Sequence, residues 1–302
     1  MGMLYDGRKP VSVEWPTLAV AVAIYSGFGL LTWFYHQIPW WLVLPLGGYF
    51  VAWHGSLQHE AVHGHPTRSA RFNEALVFPS LWLWLPFSLY RDSHLTHHND
   101  VALTDPIEDP ESTFIARTDW ERRGTLARTG LWTLKTLAGR MLFGPICCFW
   151  RLAVDESRRL WRGTTGARRI WGWHAVSCAL VLGWTWGVCG IPILEYILFF
   201  AYPGTALTMM RSFLEHQARE NVGERTAIVE SGPILSLMYL NNNLHTVHHL
   251  EPGTPWYRLP QRYRAMRSKI LEHNGGYLVP GYRSIALRYL LWPKESPVHP
   301  LT

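Results

Sequence analysis

Histidines are the residues of this sequence whose type and spacing most clearly predict chemistry. Eight of its 15 histidines fall into three short groups, which are His59-Glu-Ala-Val-His63, His94-Leu-Thr-His97-His98 and His245-Thr-Val-His248-His249. Residues three or four positions apart lie on the same face of an α-helix. Because neutral imidazole is the commonest metal ligand in proteins, each group predicts one metal-binding face.

A further candidate ligand is His216, which follows the end of a long apolar segment. One zinc ion takes four ligands and an octahedral ion takes six, so nine imidazoles predict two metal ions. A mostly imidazole ligand set favours iron, although ligand type alone also allows zinc. The predicted metal ligands are His59, His63, His94, His97, His98, His216, His245, His248 and His249.

Carboxylates beside these histidines are candidates for orienting the rings. A metal-bound histidine commonly donates its second N–H to a carboxylate or carbonyl oxygen. The candidates are Glu60, Asp92, Asp105 and Glu215, with Glu108 and Asp109 also close in sequence. We expect His54 and His65 to form hydrogen bonds near the site rather than to bind metal. No catalytic residue beyond the metal ligands and no organic cofactor site is predicted.

Two other kinds of protein would also use some of these histidines. The segment from His59 to His63 matches the H-E-x-x-H motif of zinc metalloproteases, in which Glu60 would act as general base. That interpretation leaves the other two groups without a role. A metal carrier is the second alternative, but transporters bind their ions near the bilayer midplane. Metal content separates the three hypotheses, since they require two irons, one zinc or loosely bound mixed metals.

Four apolar segments beside the histidines are long enough to cross a bilayer. A hydrocarbon core about 30 Å thick requires roughly 20 apolar residues of helix. The segments are residues 17–35, 39–57, 170–189 and 192–213, and only a short turn separates the members of each pair. The 17 Trp and the low charged fraction of 17% also favour a membrane protein. We therefore predict an all-α integral membrane domain over residues 1–302, with four transmembrane helices in two hairpins and a helical cap at residues 58–169 and 214–302.

Basic residues predict the orientation of these helices. None of the 28 Lys and Arg residues lies in either hairpin turn, near Gln37 or Gly190. The positive-inside rule then places both termini, the cap and the histidines in the cytosol, with a bacterial inner membrane as the expected location. The net charge of +6 suits anionic lipid or an acidic protein partner on that face, and no nucleic-acid partner is expected.

Three other apolar stretches are interpreted as segments that do not cross the membrane. Pro79 and Pro86 interrupt residues 76–90, which predicts a re-entrant segment and leaves the first two histidine groups on the same side. Residues 131–150 contain Lys135 and Arg140 and are predicted to lie along the membrane surface. Residues 256–270 alternate apolar and basic residues at helical spacing, which predicts a helix lying on anionic headgroups.

The three histidine groups resemble the boxes of the membrane fatty acid desaturase and hydroxylase superfamily, H-x(3 or 4)-H, H-x-x-H-H and H/Q-x-x-H-H. The resemblance runs from the second apolar segment to Pro260, and it includes residues 104–106 (Thr-Asp-Pro) and 255–260 (Pro-Trp-Tyr-Arg-Leu-Pro). It implies a four-helix membrane core, a cytosolic di-iron centre and a need for oxygen and external electrons. Some acyl-CoA desaturases have an Asn one turn before the extra histidine, and here that residue is Ser212.

The resemblance also implies an activity, an oxygen-dependent oxidation of an unactivated C–H bond in a lipid chain. Fatty acyl desaturation is the first expectation, and hydroxylation or ketolation of a lipid or carotenoid is the alternative. The expected cofactors are two Fe ions, with O2 as cosubstrate and electrons from a separate donor. A ferredoxin-like acidic donor would suit the basic cytosolic face.

Overall fold

The computed structural model describes residues 13–99 and 101–302, and these are mostly helical. The helices are α1 (Trp15–Trp33), α2 (Trp40–Val62), α3 (Ala70–Leu76), α4 (Phe87–His97), α5 (Arg117–Glu121), α6 (Thr125–Leu134), α7 (Leu137–Trp161), α8 (Ala167–Leu182), α9 (Ile193–Tyr196), α10 (Tyr202–Glu215), α11 (Pro233–Met238), α12 (His245–Leu250), α13 (Leu259–His273) and α14 (Tyr282–Tyr289). Strands β1 (Ile228–Val229) and β2 (Leu278–Val279) pair in parallel.

Among the described residues, three helices are long and apolar enough to cross a membrane, namely Trp15–Trp33, Leu137–Trp161 and Ile193–Glu215. The first and third coincide with predicted crossings. The third joins α9 to α10 through a π-helical stretch, Ile197–Ala201. The predicted crossing at residues 39–57 coincides with most of α2, which is not one of the three helices that meet the criteria of length and apolarity.

The predicted crossing at residues 170–189 is also helical. It comprises α8 and a π-helical continuation, Gly183–Val188, but it is not one of the three helices that meet the criteria of length and apolarity. The turn that follows contains Gly190 at a φ of 69°, a backbone conformation that favours glycine. Both predicted hairpins therefore have the expected helix–turn–helix connectivity.

Helix α7 covers most of the segment at residues 131–150 that was predicted to lie along the membrane surface. The sequence predicted a surface segment, whereas the structure contains one helix of 25 residues that is long and apolar enough to span a bilayer. Lys135 lies before this helix begins, so its charge does not interrupt the apolar run; its ammonium group is 3.5 Å from Glu295. Leu142, Phe143 and Trp150 are at least half exposed along the helix.

Helices α2 and α10 pack closely through glycines. A Cβ atom on Gly204 would lie 2.4 Å from Cγ1 of Val51, and one on Gly48 would lie 3.0 Å from Cβ of Pro203. Small residues allow helix backbones to approach closely where lipid offers no hydrophobic driving force for association. This contact brings the end of α2, with His59 and His63, beside the end of α10, which His216 follows.

Within the stretch at residues 76–90 that was predicted to be re-entrant, residues 77–86 are irregular and residues 87–90 belong to α4; the re-entrant position stays a prediction. Leu81 and Trp82 are buried, and side chains from the second hairpin satisfy its backbone. The Tyr196 hydroxyl donates to the Leu81 carbonyl at 2.6 Å, and the Ser177 hydroxyl accepts the Ser80 N–H at 2.8 Å. Irregular backbone is tolerated at membrane depth only when protein groups satisfy it in this way.

Helix α13 does not present its apolar face to lipid, contrary to the prediction for residues 256–270. Leu259, Tyr263 and Ile270 are buried against Leu244 and Val247, near the third histidine group. The helical period is as expected, but the partner of its apolar face is protein. Helix α13 therefore supports α12, which carries that histidine group.

Candidate metal centre

The nine predicted ligands come together in two adjacent groups. Their nitrogen atoms lie within 4.8 Å of one another in each group, and the structure brings in no other His, Cys, Asp or Glu among the described residues. The first group is His59, His63, His94, His98 and His248, and the second is His97, His216, His245 and His249. All three sequence motifs and the isolated histidine thus reach one place.

Four structural elements position these rings. Helix α2 carries His59 and ends at His63, and α4 carries the second motif on its last turn. Helix α12 consists almost entirely of the third motif. His216 ends α10 in an extended conformation and forms a β-bridge with Thr226, which fixes the backbone of this isolated histidine.

The rings face one another through their Nε2 atoms. Nε2 of His63 lies 3.2 Å from that of His94, and Nε2 of His216 lies 2.9 Å from those of His97 and His245. So many buried imidazole nitrogens cannot all satisfy one another, because a neutral ring has only one N–H. A cation shared by each group resolves this conflict, so the donor set fits a pair of metal ions.

Burial keeps several of these imidazoles neutral, which is the form that binds metal. It lowers the pKa of His216, His245 and His248 well below the ordinary value, and neighbouring histidines lower it further. The environment of Glu111 instead favours the charged form of its side chain. Burial would raise the pKa of its carboxyl group, but His94 and His97 hold that pKa at about 2, so Glu111 is an anion.

The outer nitrogens of three rings contact oxygen atoms. Nδ1 of His97 lies 2.9 Å from Asp109, and Nδ1 of His94 lies 3.1 Å from Glu111. Nδ1 of His245 lies 3.1 Å from the Asn242 side-chain oxygen. Oxygen acceptors at Nδ1 fix the tautomer in which Nε2 is free to bind a metal.

The four candidate carboxylates have different positions in the structure. Glu215 lies 3.4 Å from Nδ1 of His245, and Glu60 lies 3.8 Å from Nδ1 of His59. Asp92 instead pairs with Arg91 at the surface, and Asp105 accepts the backbone N–H groups of residues 107 and 108. The structure therefore brings two of the four to the histidines, and the other two fulfil local roles.

Sequence reasoning missed Glu111 and Asn242. Glu111 follows the second motif at no recognisable spacing, so nothing in the sequence distinguished it from other loop carboxylates. Asn242 precedes the third motif by only three residues, and that short spacing was an available signal. Asp109 was considered among the carboxylates near ligands, and it proves to be the partner of His97.

The remaining histidines lie outside both groups. Nε2 of His54 is 3.2 Å from the Tyr25 hydroxyl, and Nδ1 of His65 is 2.6 Å from Glu14. These two contacts agree with the expected hydrogen-bonding roles. His174 contacts the Leu83 carbonyl, so it supports the irregular stretch at residues 77–86 and not the interior of the site.

Glu60 has a geometry that argues against a zinc protease. Its Oε2 atom accepts the backbone N–H of Trp256, and its Oε1 atom faces the outer nitrogen of His59. A general base would have to lie on the inner side of the rings, where a metal-bound water would be. The Glu60 carboxylate instead lies on the outer side of the rings.

Comparison with known proteins agrees with this geometry. The sequence profile described as fatty acid desaturase matches residues 38–281, a span that contains all nine histidines. None of the curated proteins searched matches the chain. The apolar helices and this match together indicate an integral membrane oxidoreductase.

Proposed function

This chain belongs to the fatty acid desaturase family, and we propose that it is an oxygen-dependent di-iron enzyme that oxidises an unactivated C–H bond of a lipid chain. The observation that carries the proposal is the division of the nine histidines into groups of five and four. Fatty acyl desaturation is the preferred reaction. Hydroxylation or ketolation of a lipid or carotenoid is the alternative, since the same centre serves both outcomes.

The protein's contribution would be to hold the metals and to orient the ligands. When bound, two irons with O2 and two external electrons supply the oxidation of the C–H bond. Asp109, Glu111 and Asn242 keep three imidazoles in the tautomer that binds metal through Nε2. Nε of Arg211 lies 2.8 Å from Oε1 of Glu215, so the guanidinium group balances the negative charge of that carboxylate beside the second group.

Aromatic residues from the irregular stretch and α4 would exclude water from one side of the site. The ring of Trp82 lies 6.1 Å from that of Tyr90, which in turn lies 5.7 Å from the ring of His94. Both distances are within the range of aromatic packing contacts. An apolar wall at this position suits a hydrocarbon chain that approaches from the membrane.

Orientation and redox partner are further parts of the proposal. The absence of Lys and Arg from the two hairpin turns supports a cytosolic position for the histidine centre, in a bacterial inner membrane. Electrons would come from a separate acidic donor such as a ferredoxin-like protein. The net charge of +6 favours electrostatic attraction of such a donor to the cytosolic face.

Expression in a host that lacks such enzymes tests the proposal. Acyl chains, hydrocarbons and pigments of the host are analysed by mass spectrometry, with His248→Ala as the matched inactive control. The expected product is an acyl chain two mass units lighter (about 2 Da per double bond) that is absent from the control. Unchanged acyl chains with oxidised pigment would favour the alternative reaction. No oxidised product of any class in a well-expressing host with iron present would contradict the proposal.

Metal analysis of the purified protein provides the second test. The proposal requires about two irons per chain, because five and four imidazoles are each a sufficient ligand set for one ion. One tightly bound zinc would instead favour the protease. Mixed metals that are lost on dialysis would favour a carrier.

A further inference from the structure

A large cavity lies behind the segment that carries His216, on the side away from the other histidines. Its volume is about 660 Å³, within the range of small-molecule sites. Leu214 and Gln217 line it, whereas none of the nine histidines does. The cavity is therefore separate from the candidate metal centre, and the proposed reaction gives it no role.

The charged residues that line this cavity are mostly basic. Arg219, Arg288 and Lys294 line it together with a single carboxylate, Glu295. Lys294 lies 3.1 Å from Glu295, and the same carboxylate is shared with buried Lys135 at 3.5 Å. Glu295 thus already has two cationic neighbours, and an excess of positive charge remains around the cavity.

The two arginines have no acidic partner. Among residues 13–99 and 101–302, neither Arg219 nor Arg288 forms an ion pair, and both are exposed at the cavity. Arg288 lies over the ring of Tyr289, with 5.2 Å between its guanidinium carbon and the ring centre. Arginine with unused donors suits phosphate, which its planar group binds through two parallel hydrogen bonds.

An exposed apolar strip lies on both sides of Arg288 in the sequence. It consists of Leu287, Leu290, Leu291 and Trp292, whose exposed fractions are 78%, 48%, 73% and 75%. The strip joins the beginning of α7, since the Ala138 N–H donates to the Leu290 carbonyl. Exposed Leu and Trp beside arginine, next to a helix able to span a bilayer, are typical of the membrane–water interface.

From this combination we propose that the cavity binds the phosphate of an anionic phospholipid, with the acyl chains of that lipid lying along the strip of residues 287–292. The cavity offers volume and unpaired arginines, and the strip offers an apolar surface for the chains. The position of the strip beside a helix able to span a bilayer favours lipid over a protein or nucleic-acid partner. The bound lipid would hold the chain after α14 against the membrane beside the segment of His216, because Lys294 donates to the His216 carbonyl at 2.7 Å.

Native mass spectrometry of the purified full-length protein tests the proposal. The probes are dioleoyl phosphatidylglycerol, dioleoyl phosphatidylcholine and inorganic phosphate, each titrated against the wild type and two variants. The cavity variant is Arg219→Glu with Arg288→Glu. The control is Arg264→Glu with Arg283→Glu, which makes the same change of charge at exposed arginines that do not line the cavity.

We expect the wild type and the control to retain phosphatidylglycerol in preference to phosphatidylcholine. The cavity variant should bind phosphatidylglycerol more weakly by at least about thirtyfold, since the loss of each of two basic residues near a headgroup costs about one fivefold step and the glutamates add repulsion. Equal binding by the two variants, or no preference for the anionic lipid, would overturn the proposal. Tight binding of inorganic phosphate with no lipid retained would show a phosphate site and refute the lipid. If the glutamates prevent folding, Arg219→Gln with Arg288→Gln removes the same positive charges.

Discussion

The side chains of Asn242 and Glu111 each contact histidines of both groups. Asn242 lies 3.1 Å from Nδ1 of His245 and 3.3 Å from Nε2 of His59. Glu111 lies 3.1 Å from Nδ1 of His94 and 4.0 Å from Nε2 of His97. Asn242 is buried and Glu111 is partly exposed. Two side chains that span the boundary between the groups would fix the separation of two metals, which depends on both groups at once.

Asn242→Ala should therefore lower metal content as well as turnover. Loss of a residue that orients a ligand typically costs 10–100-fold in metal affinity or activity, so we expect fewer than two irons per chain at about tenfold lower activity. Asn243→Ala is the matched control, because Asn243 is equally buried but donates only to the Val229 carbonyl. Iron analysis of both purified variants checks this. A full iron complement in Asn242→Ala would show that the residue has no part in metal binding.

His216→Ala should abolish activity as completely as loss of any histidine in the three motifs. Its Nε2 lies 2.9 Å from Nε2 of His97 and of His245, so its removal leaves three imidazoles in the second group. Iron should fall from about two per chain to about one, while the protein stays in the membrane. His273→Ala and His299→Ala should remain active, since both residues lie outside the groups. Two irons retained in His216→Ala would exclude it as a ligand.

The spacing of the histidines predicted which helical faces carry them, but it did not predict how they divide. His97 and His98 are adjacent and enter different groups, and so do His248 and His249. Neighbours on a helix differ by about 100° in direction, so one motif can serve two metals. The partner of each ring depends on how α2, α4 and α12 meet, and one sequence without the fold does not contain that information.

The irregular stretch at residues 77–86 is the element that most affects the site. Its prolines predicted that it would not form a crossing helix, and this brings α4 back beside the end of α2, with His63 and His94 in contact. The sequence did not show which groups satisfy its backbone. These come from α8 and α9, about a hundred residues later in the chain.

Ser177→Ala should destabilise this element measurably. The Ser177 hydroxyl accepts from the Ser80 N–H and donates to the Phe78 carbonyl, and its loss leaves two buried backbone groups unpaired. Each such group costs about 1–3 kcal/mol. Ser56→Ala is the matched control, because Ser56 is equally buried but bonds a carbonyl within its own helix. Thermal unfolding in detergent should separate the two variants by several degrees. Equal midpoints would contradict this role.

Helix α13 shows how far periodicity can be trusted. Its apolar residues recur as predicted, yet Leu259, Tyr263 and Ile270 pack on Leu244 and Val247 instead of lipid. An amphipathic pattern establishes that one face is buried but does not identify what covers it. For α7 the sequence predicted a surface segment and the helix is long and apolar enough to cross, so its position relative to the membrane stays a prediction.

At the scale of the whole molecule, the side of the membrane on which each segment lies is the main prediction still to be tested. With crossings at α1, α2, α8 and α9–α10, single cysteines at Arg122, Thr164 and Thr302 should be labelled from the cytosol, and those near Gln37 and Gly190 from outside. Met1 is predicted to be cytosolic and lies outside the described residues. The pair Arg122 and Thr164 brackets α7. Labelling of these two residues from opposite sides would show that α7 crosses, and the four-crossing arrangement would then be wrong.

The two histidine groups are interleaved along the chain. Four members of the first group come from the first hundred residues, and the fifth is His248; three members of the second come from beyond residue 215, and the fourth is His97. Each half of the chain therefore contributes one histidine to the group that comes mainly from the other half. Neither histidine group is complete until the two halves have met, so under the proposed function metal loading would be a late step of biogenesis. Two bound ions would then cross-link the earlier half of the chain to the later half at two points.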